Sequence, residues 1–169
     1  MEKGVKQYMN LKFLKTLLKY NKEIEVIDFD FYKNIDILSN LNKSEIRRLN
    51  DIFIPKHYKK DEVIVRENNP FVVLYIVKHG KVKLCMSTSE GETVTNILEP
   101  KKHFGEMGIF IDANRLKSAI AIEDTELIAI KKTDFRQFIV NHPGTGIKLL
   151  FNLGKTISNE LYQVYNMIK

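Results

Sequence analysis

The hydrophobic and polar positions of the chain change their period twice. Apolar side chains first recur every three or four residues, between residues 5 and 20 and again between residues 42 and 53, which is typical of amphipathic helices. From Tyr58 to Ile130 the pattern becomes short β-branched runs separated by polar turns, at a spacing of about 8–12 residues. Helical spacing returns after Thr133 and continues to Ile168. This order predicts helices on both sides of an antiparallel sandwich or barrel.

The central region is predicted to hold strands at residues 63–65, 71–77, 82–86, 94–98, 119–122 and 127–130. A segment with two glycines, Phe104 to Ile109, interrupts this series with its one helical turn. The acidic and apolar residues that alternate between residues 23 and 36 fit either a short strand or a linker.

Two helices are predicted at the C-terminal end. Thr133 and Asp134 are expected to cap the first, which runs through Val140, and residues 144–168 form the second. An apolar seam with alternating spacing of three and four runs along it through Ile147, Leu150, Gly154, Ile157, Leu161, Val164 and Ile168. Such a seam is typical of a coiled coil and predicts a homodimer through residues 147–168, although it could instead pack on the chain's own β-region.

The positive charge is concentrated at the N-terminus. The net charge is +6, and residues 1–22 carry six lysines against one glutamate, so the other 147 residues sum to about +1. A nearly neutral body argues against nucleic-acid binding. The basic amphipathic helix predicted in residues 5–20 is interpreted as packing on its own domain, with an anionic membrane surface or an acidic protein as the alternative partner.

Catalytic and metal-binding chemistry is not indicated. The one cysteine, Cys85, excludes an internal disulfide and a thiolate cluster, and the four histidines lack ligand spacing and are expected on the surface or in loops. No nucleophile with an adjacent base is recognisable, so we predict no enzyme and no metal. Without a membrane-spanning run or a signal peptide, a cytoplasmic location is expected.

Binding chemistry concentrates between Phe104 and Ala121. Gly105 and Gly108 allow close backbone approach on either side of Glu106, and Arg115 follows nine residues later. Amide groups at the start of a helical turn and a planar guanidinium both suit phosphate oxygens, whereas a carboxylate suits a hydroxyl donor. The segment therefore predicts a ligand that carries a phosphate and a sugar hydroxyl.

Several motifs in this order resemble the cyclic-nucleotide-binding domain family, which includes bacterial regulators of the catabolite-activator type and regulatory domains of kinases and channels. They are the entry strand at residues 58–64, the hairpin at residues 74–82, Phe104-Gly105-Glu106-Met107-Gly108-Ile109, and Arg115 at the family distance. The resemblance spans residues 31–165. It implies an α+β fold in which an antiparallel β-roll, similar to a jelly-roll barrel, carries an N-terminal helical segment and C-terminal hinge and long helices.

The resemblance also implies a role for each site residue. Gly105 and the amides near Met107 and Gly108 would hold the cyclic phosphate, Arg115 would neutralise it, and Glu106 would accept a hydrogen bond from the ribose 2′-hydroxyl. The base would rest on strands near Leu84 and residues 95–97, below the C-terminal helix. The predicted ligand-contacting residues are Gly105, Glu106, Met107, Gly108, Arg115 and Leu116.

The chain departs from the family pattern at several positions. Leu116 and Lys117 stand where small residues usually follow the arginine, and Asp61 stands where glycine is preferred in the entry turn. Residues 71–73, Phe-Val-Val, replace a turn that is usually polar. Because Leu116 lacks the hydroxyl that helps cGMP-selective members recognise guanine, cAMP is expected to be preferred over cGMP.

These observations predict a stand-alone cytosolic cyclic-nucleotide sensor that signals through its C-terminal helix. Its expected parts are a basic helical extension (residues 1–30), the β-roll with flanking helices (31–142) and a lid or dimerisation helix (143–169). No helix-turn-helix follows, so no DNA binding is expected. The alternatives are a catabolite-activator-type regulator without its DNA-binding part, and a vestigial domain that binds proteins.

Overall fold

The computed structural model describes residues 28–168, which form eight strands between two groups of helices. The helices are α1 (Phe29–Lys33), α2 (Lys43–Leu49), α3 (Met107–Phe110), α4 (Lys132–Asn141) and α5 (Pro143–Ile168), with short 3-10 turns at Asp36–Leu38 and Asn50–Ile52. The strands are β1 (Ile54–Tyr58), β2 (Val63–Val65), β3 (Val73–His79), β4 (Val82–Thr88), β5 (Gly91–Leu98), β6 (His103–Phe104), β7 (Ser118–Ala121) and β8 (Thr125–Lys131).

The strands form two four-stranded antiparallel sheets, in the orders β1-β8-β3-β6 and β2-β7-β4-β5. Alternate residues of each strand point between the sheets, so Val77, Leu127 and Ala119 belong to one buried cluster. Two facing antiparallel sheets flanked by helices are the predicted α+β β-roll, and the fold prediction is confirmed.

The outer face of the first sheet is covered by helices. Leu74, Ile76 and Ile130 point outward from β3 and β8 and pack in a second buried cluster with Leu149 and Leu153 of α5. Burial of a leucine or isoleucine side chain contributes about 1.5–3 kcal/mol, so this layer fixes the first half of α5 against the roll.

The first described residues resolve the ambiguity between residues 28 and 36 in favour of a helix. Asp28 is the N-cap of α1, where its Oδ1 accepts a hydrogen bond from the Phe31 amide at 2.9 Å. Tyr32 of this helix is buried beside Phe53, with ring centroids 5.4 Å apart. Neither a strand nor a linker is present in this part of the chain, because the aromatic packing stabilises a helical turn.

Polar contacts attach α5 to the N-terminal helices. The Glu45 carboxylate accepts from the amide of Asn42 in a capping box and from Lys148 Nζ at 3.0 Å on both oxygens. Burial raises the pKa of Glu45, but the hydrogen bonds from Asn42 and Lys148 outweigh it and hold the pKa below its ordinary value. Asn152 Nδ2 donates to the carbonyl of Ile37 at 3.1 Å.

Two local predictions are wrong. The helix after β8 is present, but it begins at Lys132 without a side-chain cap from Thr133 or Asp134. His103 is not a surface or loop residue, since it lies in β6 with its Nε2 atom buried. The basic helix predicted in residues 5–20 lies outside the described residues, and no helix within residues 28–168 is long and apolar enough to cross a membrane.

Candidate functional site

Arg115 is the buried cation around which the site is built. Its backbone is paired with the turn before β3, because its amide donates to the Asn69 carbonyl and its carbonyl accepts from the Asn68 amide, each at 2.8 Å. The residue is 4% exposed, and its Nη2 atom donates to the Val73 carbonyl at 2.7 Å. This pairing places the guanidinium at the end of the roll where β3 begins.

Two aromatic rings border the guanidinium. The central carbon of Arg115 lies over the Phe71 ring, 5.1 Å from its centroid, and over the Tyr75 ring at 5.7 Å. Both distances are within the range of a cation–π interaction. Tyr75 is itself stacked on Phe104, with centroids 5.0 Å apart, so the rings around Arg115 are part of the packed interior.

The turn before α3 brings the glycine and the carboxylate next to Arg115. Gly105 has φ +88°, and a β-carbon there would lie 2.6 Å from the Val73 carbonyl oxygen and 2.9 Å from Arg115 Nη1. Only glycine fits this close approach without a shift of its neighbours. Glu106, which follows it, is 8% exposed, so neither member of the predicted pair lies on the surface.

Glu106 and Arg115 do not form a salt bridge in the described structure; Arg115 binds the Val73 carbonyl instead. Burial raises the pKa of Glu106, and the negative charge of Glu160 adds to this, while its own amide and the charges of Arg115 and Lys117 act in the opposite direction. Burial likewise lowers the pKa of Arg115. The Arg115 Nε atom is buried without a hydrogen-bond partner. A buried, unpaired donor on a cation is an unfavourable arrangement that an anionic ligand would relieve.

The residues after Arg115 take different positions. Leu116 is 60% exposed, whereas Lys117 is half-buried and directly precedes β7. Lys117 Nζ donates to Asn96 Oδ1 of β5 at 3.1 Å. The charge of Lys117 also lowers the pKa of both Glu106 and Glu160, the latter on α5, although desolvation is the larger influence on each and raises it. Lys117 is thus a second cation of the site.

The structure brings together most of the predicted site residues. Gly105, Glu106 and Arg115 are neighbours, and Gly108 lies against Phe71, where a β-carbon would be 2.6 Å from Phe71 Cβ. Met107 begins α3, and Leu116 points largely to solvent.

Sequence reasoning missed three residues of this site: Phe71, Tyr75 and Glu160. All three come from segments distant from residues 104–121, and only Phe71 carried a signal, as an aromatic residue in a turn that is usually polar. Asn96 lies within residues 95–97, the strand on which the base is predicted to rest.

An open cavity of about 270 Å³ lies elsewhere, lined by residues that include His57, His79 and Asp124. His79 ends β3, whereas Val73, which binds Arg115, begins it, so the length of the strand separates the two places. The charged groups around the cavity include an ion pair between Lys59 and Asp124. Within residues 28–168, no three His, Cys, Asp or Glu side chains are grouped so as to hold a metal ion.

Comparison with known proteins decides the family. The sequence model described as "Cyclic nucleotide-binding domain" matches residues 55–142, more than half of the chain, and this range includes every residue from β2 through Arg115 to the end of α4. The chain belongs to the cyclic nucleotide-binding domain family. The resemblance inferred from the ordered motifs between residues 58 and 115 is therefore confirmed.

Similar proteins include regulators from bacteria and eukaryotes. The Cyclic AMP receptor protein of Thermus thermophilus is 30% identical over 112 residues, which cover 66% of this chain and 52% of that protein. The cAMP-dependent protein kinase regulatory subunit of Dictyostelium discoideum is 29% identical over 112 residues, covering 64% of this chain and 34% of that protein. This chain thus spans about a third to a half of these curated relatives.

A solved structure supports the β-roll fold. The Catabolite Activator Protein of Thermus thermophilus superposes with a TM-score of 0.72 and 27% identity, over 79% of this chain and 61% of that chain. Both the family and the β-roll architecture are consistent with a cyclic-nucleotide-binding regulatory domain.

Proposed function

We propose that this chain is a cytosolic cyclic-nucleotide sensor that binds its ligand between Glu106 and Arg115. Gly105 and the amides at Met107 and Gly108 would hold the cyclic phosphate, and Glu106 would accept a hydrogen bond from the ribose 2′-hydroxyl. The proposal is carried by one observation, the buried Arg115 guanidinium whose Nε–H lacks a partner.

A phosphate is expected to bind Arg115 because no described carboxylate is in direct contact with its guanidinium. Its polar contact within the described residues is with the neutral Val73 carbonyl, so its charge faces no carboxylate in direct contact. A phosphate oxygen would accept a charge-assisted hydrogen bond worth about 1.5–3 kcal/mol and would restore the charge balance that burial disturbs. In the vestigial alternative, Glu106 and Arg115 would serve stability alone. They would then be expected to form a direct salt bridge with each other.

We further propose that cAMP is preferred over cGMP. Leu116 stands beside the arginine, where a hydroxyl would assist guanine, and its side chain is directed largely to solvent. Because leucine has no hydroxyl, it offers guanine no hydrogen bond. Because its side chain is directed largely to solvent, it is not expected to crowd the phosphate. The names of the Thermus and Dictyostelium relatives refer to cAMP, whereas cGMP-dependent protein kinase 2 of Homo sapiens is 26% identical over 113 residues, so the preference is proposed from Leu116.

The proposed signal passes to α5 by two routes. Ile109 of α3 packs in the same buried cluster as Leu149 and Leu153 of α5. A ligand that moves α3 would therefore change the packing of α5 against the roll. Glu160, farther along α5, interacts electrostatically with Glu106 and Lys117. A ligand that adds an anion beside these groups would shift the position of α5, in the sense of a population shift.

The apolar seam of α5 is the proposed dimer contact. Leu149 and Leu153 pack inward, whereas four seam residues are exposed: Ile147, Leu161, Val164 and Ile168. The other three seam positions, Leu150, Gly154 and Ile157, are half-buried. The exposed seam residues support a contact outside the roll. A second copy of the chain is its proposed partner through residues 147–168, and the vestigial, protein-binding reading would use the same surface. Sedimentation with and without nucleotide separates the two, since a sensor is expected to change its association.

A panel of nucleotides tests the function. Thermal unfolding in cAMP, cGMP, 5′-AMP and adenosine should give stabilisation by the cyclic forms, about 2.7 kcal/mol at a concentration one hundred times Kd. cAMP should act at a lower concentration than cGMP, and adenosine should have little effect because it lacks the phosphate. Stabilisation by adenosine equal to that by cAMP would refute a phosphate site at Arg115.

A further inference from the structure

Arg115 is held in place by the Val73 carbonyl, which accepts from Nη2, and by two aromatic rings, and its Nε–H group has no partner. A carboxylate would fix a guanidinium through its N–H groups and would compete with a phosphate for them. The rings of Phe71 and Tyr75 interact instead with the charge through their π faces, 5.1 and 5.7 Å from the central carbon. The Nε–H group consequently remains free while the cation stays buried.

Contacts on two sides fix the position of Phe71. Its amide donates to the Ala113 carbonyl at 3.0 Å, next to an isolated bridge between Pro70 and Asn114. On its other side the residue lies against Gly108 of α3, where a β-carbon would meet the Phe71 carbonyl at 2.8 Å. Phe71 therefore contacts both halves of the site, the helical turn and the arginine.

We propose that Phe71 and Tyr75 are positioning residues that hold the Arg115 guanidinium ready for a phosphate, an inference that rests on the proposed function. The two rings take the place of a counter-ion beside Arg115 and set the direction of the unpaired Nε–H. Phe71 occupies the turn where the family resemblance leads to polar residues, which is one of the departures of this chain from the family pattern.

The test is a double-mutant cycle on nucleotide affinity, measured with whichever of cAMP and cGMP the wild type binds more tightly. Phe71→Leu should weaken binding about tenfold in the Arg115 background. In the Arg115→Lys background, which keeps the charge but not the planar group, the same change should cost less than about twofold. Tyr75→Phe, which keeps the ring, should bind like the wild type, and Tyr75→Leu should not.

Phe53→Leu is the matched control, because Phe53 and Phe71 are both 9% exposed and Phe53 packs on Tyr32 away from Arg115. It should lower stability without changing affinity. Equal losses of affinity in the two Arg115 backgrounds, or an equal loss from Phe53→Leu, would overturn the positioning role, because general destabilisation would then suffice.

A measurement without ligand separates this inference from the proposed function. The Nε–H resonance of Arg115 in ¹H–¹⁵N spectra should carry a ring-current shift that changes in Phe71→Leu and stays in Phe53→Leu. No change in Phe71→Leu would overturn the inference even if nucleotides bind. A wild-type chain that binds neither cyclic nucleotide would overturn the proposed function and, with it, the role of the rings toward phosphate.

Discussion

Gly105→Ala is the substitution whose effect follows most directly from the geometry of the site. Two penalties combine at this position: a φ of +88° that L-residues rarely adopt, and a β-carbon 2.6 Å from the Val73 carbonyl oxygen. The left-handed backbone costs about 1–2 kcal/mol, and overpacking costs about 1–3 kcal/mol. The free energy of unfolding should therefore fall by about 2–5 kcal/mol, a large part of the stability of a typical domain.

Two other glycines separate these penalties. Gly91 has φ +119° but nothing within 4 Å of a β-carbon, so Gly91→Ala should show the backbone cost alone, about 1–2 kcal/mol. Gly154, within α5, has neither strain nor close neighbours, and Gly154→Ala should stabilise the chain by about 0.5–1 kcal/mol.

Urea unfolding followed by circular dichroism measures all three variants. Gly105→Ala should also weaken nucleotide binding more than Gly91→Ala, since its β-carbon would lie 2.9 Å from Arg115 Nη1. If Gly105→Ala lowered the free energy of unfolding no more than Gly91→Ala, the Val73 carbonyl would have to move away from the β-carbon at little cost. That result would refute a rigid site.

Three further predictions concern the rest of the fold. Burial lowers the pKa of His103 to about 4, whereas a histidine of the unfolded chain takes up a proton near pH 6.5. The contribution of neutral His103 to stability is therefore fully present above pH 6.5 and is lost as the pH decreases. About 2 kcal/mol should be lost between pH 7 and pH 5, and urea unfolding of His103→Gln, with His57→Gln as an exposed control, should show that the loss requires His103. Lys148→Met removes the cation from the buried Glu45 carboxylate and should cost about 1 kcal/mol in chemical unfolding at pH 7; an unchanged value would mean that the pair contributes nothing. Asp61 has φ +66°, so Asp61→Gly should raise the thermal midpoint, by up to about 1 kcal/mol in free energy, and a lowered midpoint would contradict this.

The positions of the strands could be predicted because alternation and turn residues are local signals. The boundaries were less accurate, as β3 shows: the apolar run begins at Phe71, but the ladder with β8 begins at Val73, paired with Lys131. Phe71 pairs its amide with the loop at Ala113 instead. A hydrophobicity pattern cannot separate these two kinds of apolar residue, because both are buried.

The short helix α1 could not be predicted for a related reason. Its five residues are too few to form a stable helix alone, and the helix depends on the Asp28 cap and on the contact of Tyr32 with Phe53. These contacts join segments that are distant in sequence, and an alternation of acidic and apolar residues does not reveal them.

The candidate site was predictable where its residues are close in sequence. Glu106 and Arg115 share one segment, and their spacing was one of the motifs that carried the resemblance. The direction of Lys117, the enclosure of Arg115 by two rings and the proximity of Glu160 all depend on strands and a helix packing together. Leu116 and Lys117 are adjacent departures, yet Leu116 is exposed, whereas Lys117 is half-buried and donates to Asn96 of β5.

Calorimetric titration of cAMP tests the central claim most directly. The wild type should bind about one nucleotide per chain, and Arg115→Ala should weaken binding by at least about tenfold through loss of a charge-assisted hydrogen bond. Arg48→Ala, which removes an exposed arginine of α2, should bind like the wild type. The absence of heat with both cAMP and cGMP, supported by the absence of any shift in thermal unfolding, would contradict the account, as would equal affinity in the wild type and Arg115→Ala.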